Sequence, residues 1–172
     1  FIKPLVRRDL MAGKSPEVQL KNLSHLKAVV ISASWHPEIC QALIDGALKG
    51  FETSGLTNVE IRKVAGSFEL PLAAQLAFDA GFDVAVVLGL VLRGDTPHFD
   101  YVCQGVTTGI MEVSLSRSKP IGFGVLMCDT IEQARARAGF TESFEDKGFD
   151  SAVAAIELAY IAANDRLLKP IK

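Results

Sequence analysis

The stretch DVAVVLGLVLRGDTPHFDYV, residues 83–102, decides the fold. Its first ten residues are apolar almost throughout, which predicts a strand over 83–92 that is buried on both faces, as strands of parallel sheets are. The strand is followed directly by Arg93, Gly94, Asp95, Thr96, Pro97 and His98. Charged, hydroxyl and imidazole side chains directly after a buried strand indicate that a functional site lies at the end of that strand.

Strands and helices alternate on either side of this stretch. Further strands are predicted over 26–33, 59–64 and 120–128, and helices over 37–55, 70–81, 100–116, 131–139 and 148–168. Pro37 suits a first helical turn, Thr130 an N-cap, and Gly55 and Gly81 suit helix ends. The pattern predicts a three-layer α/β/α fold with a four-stranded parallel, flavodoxin-like sheet.

One domain is expected from 172 residues. Residues 1–24 are polar and interrupted by proline and glycine, so we predict an N-terminal arm there and a single α/β domain over 25–172. The segment AGKS, residues 12–15, is not a phosphate loop, because Arg8 stands where that motif requires glycine.

Composition narrows the function further. A net charge of −2 argues against nucleic acid, and a hydrophobic content of 49% suggests surface covered by other subunits. The longest apolar run, 84–92, is too short to span a membrane, so a cytoplasmic protein without membrane contact is expected. Three widely separated cysteines without a C-x-x-C pair predict no metal site. The tripeptide RGD, 93–95, follows a buried strand and is therefore not an adhesion loop.

Ligands of open parallel sheets bind beyond the carboxyl ends of the strands. The candidates there are Trp35, Glu69, the segment 94–96 and His98. Each candidate has a structural alternative: Trp35 as packing, Glu69 as a first-turn helix acid, 94–96 as a helix-entry turn and His98 as a surface histidine. The residues alone leave these alternatives open.

Taken together, the segments after the strands resemble the lumazine synthase family. The matching pieces are SASWH (32–36), GSFELPLAAQ (66–75), LGLVLRGDTPHFDYV (88–102), FGVLMCDTIEQARARAG (123–139) and EDKG (145–148). The resemblance spans about residues 26–165. It implies a transferase of the penultimate riboflavin step, which condenses 5-amino-6-(D-ribitylamino)uracil with 3,4-dihydroxy-2-butanone 4-phosphate to 6,7-dimethyl-8-ribityllumazine. It implies neither a cofactor nor a metal.

The same resemblance implies residue roles. It makes His98 a proton shuttle and Arg137 the phosphate-binding arginine, donated by the neighbouring subunit. The implied substrate-binding residues are Trp35 on the pyrimidine ring, Ser67, Phe68 and Glu69 on the ribityl chain, Leu90, Val91 and Leu92 on the pyrimidine edge, Asp95 and Thr96 on the phosphate, and Phe123 and Lys147 from the neighbouring side.

Some positions depart from the common family pattern. His36 replaces a frequent asparagine, Ser67 a frequent alanine, and Asp95 a frequent glutamate or alanine. The long acidic segment 138–148 is similar to that of members that stop at pentamers, so a homopentamer with active sites between subunits is predicted. Two other functions stay open: a flavin- or lumazine-binding protein without turnover, and a nucleotide-binding signalling domain of flavodoxin type.

Overall fold

The fold is given by a computed structural model that describes residues 23–167. The strands are β1 (Ala28–Ala33), β2 (Val59–Val64), β3 (Val84–Leu92) and β4 (Ile121–Cys128). The α-helices are α1 (Pro37–Thr53), α2 (Leu70–Asp79), α3 (His98–Arg117), α4 (Ile131–Arg135) and α5 (Lys147–Leu167), and Ser67–Glu69 form a 3₁₀ turn before α2. The predicted arm lies, apart from residues 23 and 24, outside the described residues.

The four strands form one parallel sheet in the order β2-β1-β3-β4, which confirms the predicted α/β class. β3 is central, and its first seven residues are buried on both faces. One apolar cluster lies between the sheet and the helices α1 and α5, and a second lies between the sheet and α2 and α3. All strands therefore end at one edge, where the loops that carry the candidate residues meet.

Two glycines of α3 allow close packing on the 3₁₀ turn and α2. A Cβ at Gly105 would lie 2.8 Å from the Phe68 ring, and one at Gly109 would lie 2.9 Å from Pro71. The two glycines lower the intrinsic helix propensity of α3, but they let its backbone approach the neighbouring elements. This close approach brings the start of α3 beside Phe68.

The short helix α4 ends earlier than the sequence predicts. The prediction extended it to residue 139, but the helix stops at Arg135 and the chain turns through Gly139, whose φ is +86°. Thr130 caps the helix as predicted, since its hydroxyl accepts a hydrogen bond from the Gln133 N–H. Arg137 consequently lies beyond the helix rather than on it.

The two edges of the sheet differ in chemistry. β2 carries Glu60, Arg62 and Lys63, whereas β4 has the sequence IGFGVLMC and no charged side chain. Phe123 on β4 is 40% exposed. Among the described helices, none is both long and apolar enough to cross a membrane.

Candidate active site

A pocket of about 850 Å³ opens at the carboxyl edge of the sheet. It brings together eight residues predicted for the site: Trp35, Ser67, Phe68, Glu69, Leu90, Val91, Leu92 and His98. They come from the ends of three strands and the start of α3, as the rule for parallel sheets requires. The remaining lining residues are His36, Gly66, Arg93, Tyr101 and Val102.

Trp35 forms a flat apolar wall at the mouth of the pocket. Its side chain is 68% exposed, so it is not part of the described hydrophobic core. His36, next to it, adopts a left-handed backbone conformation with φ of +55°. Histidine is among the non-glycine residues that are enriched in this region, so His36 can adopt this turn. The turn leaves the Trp35 ring free to contact a planar ligand.

Glu69 lies at the end of the 3₁₀ turn and is held by its own loop. Its Oε2 accepts a hydrogen bond from the Gly66 N–H at 2.8 Å. An ionised carboxylate has a second oxygen and several acceptor sites, so Glu69 can also accept hydrogen bonds from ligand hydroxyls. The adjacent Ser67 is buried, and its Oγ has no hydrogen-bond partner among the described residues.

The end of β3 and the start of α3 both line the pocket. Leu90, Val91 and Leu92 line it at the strand end, and His98 begins α3. The sequence predicted this helix from residue 100, two residues too late, because Pro97 serves as the N-cap and His98 starts the first turn. Tyr101 and Val102 follow on the same side of α3 and were not predicted. Their spacing of three and four residues from His98 was the available signal.

Asp95 and Thr96 do not line the main pocket. Both are exposed in the segment 94–97 that connects β3 to α3. Among the described residues, the N–H groups of Gly94, Asp95 and Thr96 have no backbone acceptor. Consecutive free amides next to a helix start favour an anion.

Arg137 and Lys147 lie apart from the pocket but close to each other. Glu145 joins them, since its Oε2 is 3.1 Å from Lys147 Nζ and 3.9 Å from Arg137 Nε. Burial lowers the pKa of Lys147, but Glu145 and Asp150 together shift that pKa above its usual value. Arg137 Nη1 also donates to the Gln133 carbonyl oxygen at 3.0 Å. Within one chain, this cationic pair does not line the pocket.

Phe123 is the third residue predicted for the neighbouring side. It shares its face of β4 with Ile121 and Val125, which pack toward α2 and α3. Lys147 instead begins α5, on the opposite face of the sheet. The structure therefore places the three predicted partner-side residues around β4 rather than in the pocket of their own chain.

An open parallel sheet with an aromatic ring, a carboxylate and an imidazole in one pocket at its carboxyl edge is typical of small-ligand proteins of the three-layer α/β class. The chain belongs to the 6,7-dimethyl-8-ribityllumazine synthase family, whose model matches residues 25–163.

Curated relatives agree with this assignment. The chain is 47% identical over 150 residues to the 6,7-dimethyl-8-ribityllumazine synthase of Streptomyces coelicolor, covering 87% of this chain and 93% of the relative. It is 46% identical over 151 residues to the Arthrobacter protein of the same name, with 84% and 92% covered. The Cutibacterium acnes protein, also of that name, is 45% identical over 149 residues, with 87% and 89% covered.

Proposed function

We propose that this chain condenses 5-amino-6-(D-ribitylamino)uracil with 3,4-dihydroxy-2-butanone 4-phosphate to form 6,7-dimethyl-8-ribityllumazine, the penultimate step of riboflavin biosynthesis. The observation that carries the proposal is the meeting of Trp35, Glu69 and His98 in one pocket. A stacking wall, a hydroxyl acceptor and a proton carrier match the ring, the ribityl chain and the reacting amine of the first substrate.

The proposed reaction depends mainly on the positioning of the two substrates and on proton transfer. Two carbon–nitrogen linkages form, while the C–O bond of the phosphate ester and two further carbon–oxygen linkages break. One phosphate and two water molecules leave, and no net oxidation occurs. Amine protons must move to departing oxygens, a task that suits an imidazole close to neutral pH. Holding the two substrates side by side can remove about 7–11 kcal/mol of the barrier in favourable cases.

Each substrate has its own set of residues in this proposal. The pyrimidine stacks on Trp35, its edge meets the β3 backbone at Leu90, Val91 and Leu92, and its ribityl chain lies along the 3₁₀ turn formed by Ser67, Phe68 and Glu69. The phosphate of the second substrate binds the free amides of Asp95 and Thr96, which leaves His98 beside the reacting atoms.

The site is completed by a neighbouring subunit. Arg137 and Lys147 are an exposed and a half-buried cation that do not line the pocket of their own chain, so we assign them, with Phe123, to the pocket of the next subunit. Leu72 and Leu76 on α2 and Met111 and Leu115 on α3 are apolar, and each is at least 55% exposed. Apolar side chains left open on two packed helices support a subunit interface. We propose a homopentamer, which sedimentation velocity can test.

The direct test of function mixes the purified protein with both substrates and follows the fluorescence of the lumazine. Formation of the product is expected. Tight binding of a lumazine or flavin ring without turnover would instead identify a binding protein on the same scaffold.

The shared site has a separate test that uses two inactive variants. His98→Ala and Arg137→Ala chains are denatured together and reassembled at equal amounts. If each site takes His98 from one chain and Arg137 from the next, about a quarter of the sites in the mixture are intact and activity returns. Absence of any recovery, with mixed assemblies demonstrated by mass spectrometry, would place both residues in the same chain's site.

A further inference from the structure

Arg93 lines the pocket, but the proposed reaction assigns it no role. Its guanidinium Nε donates to Asp129 Oδ1 at 2.6 Å, and its Nη1 donates to Asp100 Oδ1 at 3.3 Å. The guanidinium also lies over the Phe99 ring, 4.1 Å from the ring centre. The positive charge of Arg93 is thus already paired with two carboxylates, those of Asp129 and Asp100.

The contacts of Arg93 with Phe99 and Asp100 connect the two ends of the segment 94–97. Arg93 stands immediately before the segment, and Phe99 and Asp100 lie in the first turn of α3 immediately after it. Among the described residues, the backbone hydrogen bonds of this segment lie at its two ends. Arg93 N–H donates to the Cys128 carbonyl at 3.0 Å, and Asp100 N–H donates to the Pro97 carbonyl at 3.0 Å. A Cβ at Gly94 would meet nothing within 4 Å, and residues 94–97 are all exposed.

The contact of Arg93 with Asp129 links this segment to the connection between β4 and α4. Asp129 follows β4 and precedes Thr130, the N-cap of α4. Its own N–H donates to Gln133 Oε1 at 2.8 Å, which fixes it against that helix. The planar guanidinium, with donors in a rigid fork, can hold both carboxylates at set angles, whereas a lysine ammonium cannot.

We propose that Arg93 is a positioning residue. It holds the 94–97 segment in the conformation that binds an anion, without contacting the anion itself. The inference rests on the proposed function, since it takes this segment as the place where the substrate phosphate binds. The side-chain contacts of Arg93 substitute for the hydrogen bonds that the segment lacks, and they hold its amides in the binding arrangement before the ligand arrives. Preorganisation of this kind increases affinity by lowering the ordering cost of binding.

Positioning and simple charge attraction predict different effects for two variants. Asp129→Ala removes a negative charge near the 94–97 segment, so attraction alone would tighten phosphate binding. Loss of the Arg93–Asp129 contact would instead weaken it. Arg93→Lys keeps the charge but loses the fork, so attraction alone would leave binding unchanged. Both side chains are substantially exposed, at 45% for Arg93 and 63% for Asp129, and neither replacement opens the core.

The experiment measures binding of inorganic phosphate to the intact assembly by calorimetry, and the KM for each substrate. Both variants are expected to bind phosphate about five- to tenfold more weakly, in the usual range for breaking a coupled network. The KM of the butanone phosphate should rise by a similar factor, and that of the pyrimidine should stay unchanged. Glu60→Ala is the matched control, because Arg62 also forms a 2.7 Å ion pair, with Glu60, and lies over an aromatic ring, that of Phe82.

Equal or tighter phosphate binding by Asp129→Ala would overturn the inference, as would unchanged binding by Arg93→Lys. Failure of the proposed function shows itself differently, as absence of lumazine formation by the wild-type protein. The calorimetric comparison needs no turnover and therefore judges Arg93 on its own.

Discussion

The Glu69 carboxylate accepts a hydrogen bond from the Gly66 N–H at 2.8 Å, so the residue expected to hold the ribityl chain is itself held by the loop before it. One oxygen orients the side chain, and acceptor capacity remains for the ligand. This arrangement fixes the carboxylate before a substrate binds.

Replacing Glu69 with Gln should raise the KM of the pyrimidine substrate about tenfold, since hydrogen bonds to a charged acceptor contribute about 1.5–3 kcal/mol. The KM of the butanone phosphate should change little. Steady-state kinetics with each substrate varied in turn measures both values. Glu112→Gln, at an exposed position of α3, is the control. Equal increases in both KM values would remove Glu69 from the ribityl site.

Trp35→Ala should weaken binding of the lumazine product about tenfold, because stacking of a base on an aromatic side chain is worth about 1–3 kcal/mol. The melting temperature should not fall, since the Trp35 ring is largely exposed. Fluorescence titration and thermal unfolding give the two values, and Trp35→Phe should restore most of the affinity. Intact affinity with a lowered melting temperature would make Trp35 a packing residue.

His98→Ala should lower kcat about a hundredfold, the usual scale of general acid–base assistance, and leave the assembly intact because the side chain is exposed. Turnover and sedimentation are measured on the same preparation. His25→Ala, at another exposed histidine, should be as active as the wild type. A His98 variant with unchanged kcat would contradict the proton-shuttle role.

Asp146 should make the free energy of unfolding depend on pH. Burial raises the pKa of its carboxyl above the usual value, although the Phe149 N–H, which donates to Oδ1 at 2.9 Å, acts in the opposite direction. Between the unfolded and the raised folded pKa, the folded chain binds more protons, so this group lowers stability as pH rises through that window. Asp146→Asn keeps the acceptor and should therefore raise the free energy of unfolding at pH 7.

The gain from Asp146→Asn should vanish below the pKa that the carboxyl has in the unfolded chain, where both states are protonated. Denaturant unfolding at several pH values tests this. Asp45→Asn is the control, because Asp45 and Asp146 line one surface groove beside α1, but Asp45 is exposed. A gain independent of pH would show that burial of charge is not its cause.

The strands were predictable because each is a short β-branched or apolar run between turn residues, and all four lie within two residues of the predicted bounds. The pocket followed from topology, which places Trp35, Glu69 and His98 at one edge. The 3₁₀ turn over Ser67–Glu69 was missed, since three residues carry no periodic signal. The Arg93 contacts could not be foreseen either, because Asp129 lies 36 residues away along the chain. The roles predicted for Arg137 and Lys147 remain predictions.

The unlike edges of the sheet have a consequence for the fate of separated chains. Charged side chains along β2 discourage another strand from adding there, whereas β4 offers unpaired backbone groups beside an uncharged, glycine-containing sequence. In the proposed assembly, a chain that loses its neighbours has one edge, β2, that is protected against strand addition and one edge, β4, that is open to it. Substitutions that loosen the proposed subunit contacts should therefore cause aggregation through β4 rather than release stable single chains.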